Sequence, residues 1–409
     1  MRVSHFVSKP IALLVILTFS CNIERSQAGE EKYSNGVVRI GILNDQSGPY
    51  SEIAGRGSVV AAELAAEEFG RSVNGVPIEI IAADHQNKPD IGAAIARKWF
   101  DVDNVDAIAD ISSSGVGFAV VALAKERRKV ILNASASSDF TGKFCTDVST
   151  QWVYNTYSNG YTLARTLTEK GLNTWFLVTV DYVFGHSFST DVRKGVKDAG
   201  GTVLGEVRHP LNTSDFSSFL LQAQSSGAKV IALLSAGGDM LNATKQANEF
   251  QIGKSQTLVS PIVYLSDVHS MGLKAAEGLQ FITGFYWNRD DSSRAWSKKI
   301  FDRVGRMPTM AHAGIYSAVR HYLQAVSLAK SDDSSAVLAK MRELPVVDAF
   351  TQHGILRSDG QMIHDMYLVR VKKPSEVKIP WDYYDILSTI PGKEAFRPLE
   401  ESECSIRGN

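Results

Sequence analysis

From Val37 onward the chain alternates short apolar segments with amphipathic ones, and this rhythm narrows the possible folds more than any other feature. Segments 37–43, 78–82, 105–111 and 130–132 read as strands, and 57–69, 91–100 and 116–126 between them read as helices. Strands apolar on both faces, each followed by a helix, specify a parallel sheet covered on both sides. The rhythm pauses in the aromatic stretch 152–161 and then restarts. Strands are expected at 175–180, 202–207, 230–234 and 262–265, with helices at 192–199, 216–224 and 240–250. An α/β fold of two doubly wound units in tandem follows. A third stretch, 293–344, reads as helical and runs into "GILRSDGQMIHDMYLVRV", a hairpin pattern turning at Ser358-Asp359-Gly360. These pieces are too small for a third domain, so each is expected to complete one of the two units.

The 409-residue length agrees with two or three domains. The charge is nearly balanced, at a formal −1 with 21% charged residues, and no run of five like charges occurs. Such a surface argues against nucleic acid or an acidic membrane face as the main partner and leaves small ligands open.

The N-terminus has its own pattern. Arg2 and Lys9 precede an apolar run from Ile11 to Phe19, and the small-residue motif Ser26-Gln27-Ala28 follows, as in a secretory signal peptide of residues 1–28. The run is far shorter than the ~20 residues a membrane span needs. A lipoprotein signal ending at Cys21 is the competing reading, although Leu17 and Phe19 fit it poorly. An exported, periplasmic protein is expected. With Cys21 removed, Cys145 and Cys404 are the pair left, and an oxidising compartment favours their bonding. A bridge closing so long a loop would pin the C-terminal tail.

Catalytic signatures are weak. Gly185-His186-Ser187-Phe188-Ser189 lacks the final glycine of a nucleophile elbow, and its serine lies several residues past the strand. The serines 112–114 have no glycine before them at that spacing. The nine histidines are scattered, and Asp84-His85 reads as a solvated strand end. No G-x-x-x-x-G-K-[ST] loop occurs, and Gly55-Arg56-Gly57 lacks the rest of a dinucleotide fingerprint. No enzymatic activity, cofactor or metal is expected.

The strand ends are more informative, because open parallel sheets bind ligands beyond the carboxyl ends of their strands. In the first unit these loops are "NDQSGPYS", Ser112-Ser113-Ser114-Gly115 and "NASASSD". Hydroxyls and N–H groups at helix N-termini favour an anion there, with N-capping as the plain alternative for any single serine. In the second unit they are Asp181-Tyr182, Gly237-Gly238-Asp239 and Asp267-Val268-His269. A carboxylate-bearing ligand is therefore expected against the first unit, with the second closing over it.

With "IGILNDQSGPYSEIAGRG", the serine loop, "NASASSDFTG", "DYVFGHSF" and "AAEGLQFIT" in this order, the chain resembles periplasmic solute-binding proteins of the branched-chain amino acid ABC transporter family from Val37 to about Leu399. The resemblance implies the type I periplasmic binding protein fold, two Rossmann-like lobes joined by three crossovers. It places 36–156 plus 286–345 in lobe 1, 157–285 plus 346–395 in lobe 2, and 396–409 in a tail. It also implies a carboxylate site at Ser113 and Ser114 with Ala136 and Ser137, a closing tyrosine at Tyr182, and an acid facing an ammonium at Asp267 or Asp239. Gln46, Ser47 and Tyr50 would line one wall. The cysteine pair, "SDVHSMGL" and "GFYWN" look more like a branch associated with aromatic acids, so amino acid and aromatic acid both stay open. The implied partners are a small carboxylate and a membrane permease, for a protein acting as a monomer. A ligand-sensing module for a separate receptor is the alternative.

Overall fold

The structure, a computed structural model, describes residues 1–5 and 33–406. The signal segment 1–28, including Cys21, lies almost wholly outside the described residues. The first apolar segment forms Val38–Asn44 (β1), in the interior of a six-stranded sheet. Ser72–Val73 (β2) and Val76–Asp84 (β3) lie on one side of it. Ala107–Asp110 (β4), Val130–Asn133 (β5) and Ser149–Gln151 (β6) lie on the other. Every pairing except the β2–β3 ribbon is parallel. The apolar character of β1, β4 and β5 on both faces has its cause here: the three are almost fully buried. Helices Gly55–Glu68 (α1), Pro89–Asp101 (α2) and Ser114–Arg127 (α3) supply part of the cover. The 291–343 region, whose long helix Met310–Ala329 packs against α1 and β4, supplies more.

A second, four-stranded parallel sheet has the order β10-β9-β7-β8, from Thr174–Val180 (β7), Thr202–His209 (β8), Val230–Leu234 (β9) and Thr257–Val259 (β10). Its helices are Thr162–Glu169 (α4), Val183–Asp198 (α5), Ser217–Ser225 (α6) and Gly238–Glu249 (α7).

Two expectations need correction here. The apolar run 262–265 is not a strand: β10 ends at Val259, and Leu265–Met271 (α8) begins where a strand was expected to end. Ile262, Val263 and Tyr264 are buried as a connecting segment, and burial makes such a run look like a strand whatever its backbone does. Likewise α5 begins at Val183 rather than at 192. Gly185 lets it sit hard against β7, since a Cβ there would come within 1.9 Å of the Val180 carbonyl oxygen.

The hairpin turning at 358–360 is present, between Ile355–Leu356 (β12) and Met362–Ile363 (β13). Met366–Val371 (β14) does not extend it. It pairs antiparallel with Gln280–Thr283 (β11) and Tyr384–Ile390 (β15), forming a three-stranded sheet beside the crossovers. β15 returns after the loop 372–383, but β11 lies more than 80 residues before β14, so no local pattern announces the full sheet.

The aromatic stretch 152–161, where the rhythm pauses, is core. Trp152 is fully buried and donates from Nε1 to Ser317 Oγ at 3.1 Å. Beside it the Gln361 amide donates to the Gln151 carbonyl oxygen at 3.1 Å, and Asn155 Nδ2 donates to Gln361 Oε1 at 2.7 Å. Cys145 and Cys404 are joined by a disulfide with Cα atoms 5.5 Å apart. Among the described residues no helix is long and apolar enough to cross a membrane.

Candidate functional site

The loops after β1, β4 and β5 meet those after β7, β9 and β10 across a cleft. After β1 the chain turns on Asp45. Its carboxylate accepts the N–H groups of Gly48 at 2.7 Å and Tyr50 at 2.9 Å, which sets the Tyr50 ring at the cleft. After β4 the chain turns through Asp110 and Ile111, both at positive φ, 76° and 52°. Such conformations cost a non-glycine residue free energy and persist where surrounding structure dictates them. Asp110 is fully buried, accepts from Asn44 Nδ2 at 2.9 Å, and is pushed up to about 6 by burial.

That turn decides which serines face the ligand space. Ser112 and Ser114 line it, while Ser113 is the residue preceding α3 and its side chain makes no cap bond. Ser114 Oγ accepts the Ser137 N–H at 3.2 Å. Gln151 holds the next loop by donating from Nε2 to the carbonyl oxygens of Ser135 and Ser137, both at 2.8 Å, so Ala136 is presented to the cavity. Ser137 faces elsewhere, its Oγ accepting the Asp139 N–H.

From the other side come Tyr182, Phe184, Ala236, Ile262 and Tyr264, with Tyr154 from the crossover; Ile53 completes the wall. Together they line a narrow, partly open pocket with a cavity volume of only about 20 Å³. Two tyrosine pairs span the cleft, the Tyr50 hydroxyl bonded to that of Tyr182 and the Tyr154 hydroxyl to that of Tyr264. Burial raises the pKa of all four, so they stay protonated donors at any physiological pH. In each pair one hydroxyl proton lies in the mutual bond and the other remains to be donated. Gly237, at φ 58°, brings the β9 loop against the β1 loop; a Cβ there would lie 2.4 Å from the Pro49 carbonyl oxygen.

Several residues expected at the site stand outside the lining. Gln46 and Ser47 are exposed and turn to Asp84, whose carboxylate accepts the Gln46 N–H at 3.0 Å and the Ser47 hydroxyl at 2.5 Å. Asp267 is buried and accepts the Tyr264 N–H at 2.9 Å; burial pushes it up to about 7. Asp239, raised to about 6 by burial, accepts the Asn212 N–H at 3.1 Å. Neither carboxylate is part of the cavity wall. Tyr154 and Tyr264 were not foreseen, because one lay in the aromatic stretch where the rhythm pauses and the other in an apparent strand. An aromatic residue just past a break in the βα rhythm is the signal that could have found both.

The arrangement is suited to holding an anion without chemistry. Ser112, Ser114, the α3 N-terminus and tyrosine hydroxyls supply donors, Ile53, Phe184 and Ile262 supply apolar surface, and the lining includes no charged side chain. Ser187 does not form a hydrolase triad: its Oγ meets Thr156 Oγ1 at 2.9 Å, and His186 turns to Asp181 at 2.7 Å. Among the described residues no cluster of metal-ligating side chains occurs.

Residues 37–376 match the periplasmic binding protein family. A periplasmic binding protein from Burkholderia mallei is 43% identical, with a TM-score of 0.89 over 91% of this chain and 99% of that one. A branched-chain amino acid ABC transporter periplasmic ligand-binding protein from Burkholderia xenovorans is 42% identical, with a TM-score of 0.82 over 90% and 99%. A solute-binding protein from R. palustris in complex with 4-hydroxybenzoate shares the fold at 20% identity, with a TM-score of 0.81 over 89% and 100%. The Leu/Ile/Val-binding protein homolog 6 of Brucella melitensis is 28% identical over 58% of this chain, and the match spans 59% of that relative's length. The two lobes, the cleft between their strand ends and these matches lead to one conclusion: this chain belongs to the periplasmic binding protein family, with the type I fold.

Proposed function

We propose that the protein captures a small carboxylic acid between its lobes and delivers it to the membrane permease of an ABC importer, after export through its signal segment. The observation that carries this reading is a cavity between the lobes that offers hydroxyl and N–H donors and apolar walls but no charged side chain. A carboxylate finds donors at the serine end. An α-ammonium group would need an anion beside it, and burying it without one is costly. Asp239 and Asp267, the acids proposed to face it, each accept a backbone N–H outside the lining. This supports an aromatic or other apolar acid over an amino acid. The amino acid reading keeps the support of two relatives' names, the 42% identical Burkholderia xenovorans protein and the Leu/Ile/Val-binding protein homolog 6 of Brucella melitensis.

The test is a thermal-shift comparison of benzoate, 4-hydroxybenzoate and leucine. A ligand present at a hundredfold excess over its Kd stabilises by ~2.7 kcal/mol, enough to move the melting temperature measurably. A shift with the aromatic acids and none with leucine is expected. A shift with leucine alone overturns the choice of ligand class, and no shift with any of them overturns carboxylate capture.

A further inference from the structure

The chain beyond β15 does not trail away from the molecule. It crosses from one lobe to the other, and one of its side chains enters a buried polar cluster behind the ligand cavity. Arg397 donates to Asp191 Oδ1 at 2.9 Å and to Ser138 Oγ at 3.2 Å, and its guanidinium lies over the Tyr157 ring at 5.1 Å. Asp191, on α5, is almost completely buried. Its other oxygen accepts the hydroxyls of Ser138 and Thr156, both at 2.7 Å. Thr156 in turn accepts the Ser138 N–H at 3.0 Å and donates its own N–H to the Ala136 carbonyl oxygen at 2.7 Å. Ala136 is cavity wall. An unbroken run of hydrogen bonds therefore leads from the tail, through a second-lobe carboxylate, to the first-lobe loop that faces the ligand.

The tail is fastened at Arg397 and beyond it. Its carbonyl oxygen accepts from Arg357 at 2.8 Å, and Ser402 Oγ donates to the Thr141 carbonyl oxygen at 2.8 Å. The disulfide from Cys404 to Cys145 closes the strap, tying positions 259 residues apart. Removing one partner of so deeply buried a pair leaves the other without compensation.

We infer that Arg397 is a positioning residue for the ligand site: held by the disulfide-closed strap, it holds the Asp191 carboxyl group in place and thereby fixes the loop that carries Ala136. The consequence for binding rests on the proposed carboxylate capture; the consequence for the loop does not. Without Arg397, Asp191 retains only hydroxyl partners, and the Ser138 and Thr156 anchors of the cavity loop loosen while both sheets keep their cores.

Amide hydrogen exchange on the full chain tests this without any ligand. Arg397→Ala is expected to speed exchange at least tenfold in peptides covering 134–141 and 187–192, leaving β1 and β9 unchanged, and Arg397→Lys is expected to restore most of the protection. The Cys145→Ser, Cys404→Ser double variant should give the same pattern. A change confined to 391–406, or one spread evenly over both sheets, overturns the inference. In a parallel titration 4-hydroxybenzoate is expected to bind Arg397→Ala at least tenfold more weakly than the unaltered protein. Equal affinity for the two overturns the link to the ligand site. If the unaltered protein does not bind this probe, the choice of ligand fails, and the exchange data still decide the role of Arg397.

Discussion

Removing the Tyr50 hydroxyl should weaken ligand binding while leaving the fold intact, because the penalty falls on the closed state alone. In the closed cleft the Tyr182 ring is partly buried, its hydroxyl is withdrawn from water, and its bond goes to Tyr50. Tyr50→Phe strands it there, and a buried polar group left without its partner costs about 1–3 kcal/mol. When the lobes part, the same hydroxyl meets water and the penalty disappears. The closed population, and with it the affinity, should therefore fall by roughly 5- to 150-fold, since 1.4 kcal/mol is about a factor of ten. Isothermal titration with the ligand found in the thermal-shift comparison measures the effect, and the ligand-free melting temperature serves as the control. Tyr182→Phe should show a similar loss. The double Tyr50→Phe, Tyr182→Phe variant should lose clearly less than the sum, because it leaves no stranded hydroxyl. Single losses that add to within about 0.5 kcal/mol would refute the reasoning, since the two hydroxyls would then act independently of each other.

Three further outcomes are expected. Ser114→Ala should weaken ligand binding by about 1–3 kcal/mol with little change in ligand-free stability; retention of full affinity in the same titration would exclude Ser114 from carboxylate recognition. Gly237→Ala places a Cβ against the Pro49 carbonyl oxygen at a positive φ, so lobe closure should suffer more than lobe stability. A lowered melting temperature with unchanged affinity would contradict that. Asp267→Asn should reveal a pH-dependent cost. The folded-state pKa is raised to about 7 from 3.8, so between these values the folded protein holds a proton that the unfolded chain has lost, and stability falls as pH rises through the window. The variant lacks this loss and should gain melting temperature relative to the unaltered protein at pH 8 more than at pH 5. Taking the difference cancels the opposite contributions of His85, His312 and His364, whose pKa values burial lowers to about 4. An equal difference at the two pH values would show that Asp267 is not raised.

How far the site could be read from sequence depended on whether a residue's role was local. The rule that ligands bind beyond strand ends reached the loops that carry Tyr182 and Ala136, the resemblance singled out the two residues within them, and both line the cavity. Ser113 and Ser114 were reached too, but the choice between neighbouring serines depends on the dihedrals of Asp110 and Ile111, which the surrounding packing imposes. Asp267 looked like a ligand acid because a carboxylate at a strand end does; only the backbone around Tyr264 gives that carboxylate a different partner.

By itself the sequence determined the two βα units, the layered sheets and the end of each sheet at which a ligand can sit. These follow from hydrophobic period, from the reach of short connections and from the right-handed crossover, all of which are written into neighbouring residues. Only the tertiary structure decided the cavity. Its walls come from six strand-end loops and the crossover at Tyr154, spread between Tyr50 and Tyr264, and its tyrosine pairs join residues 132 and 110 positions apart. The Asp191 cluster reaches from Ser138 to Arg397. A hydroxyl or a carboxylate acquires its partner at distances of about 3 Å, and no pattern within one segment specifies what a separate segment will bring that close.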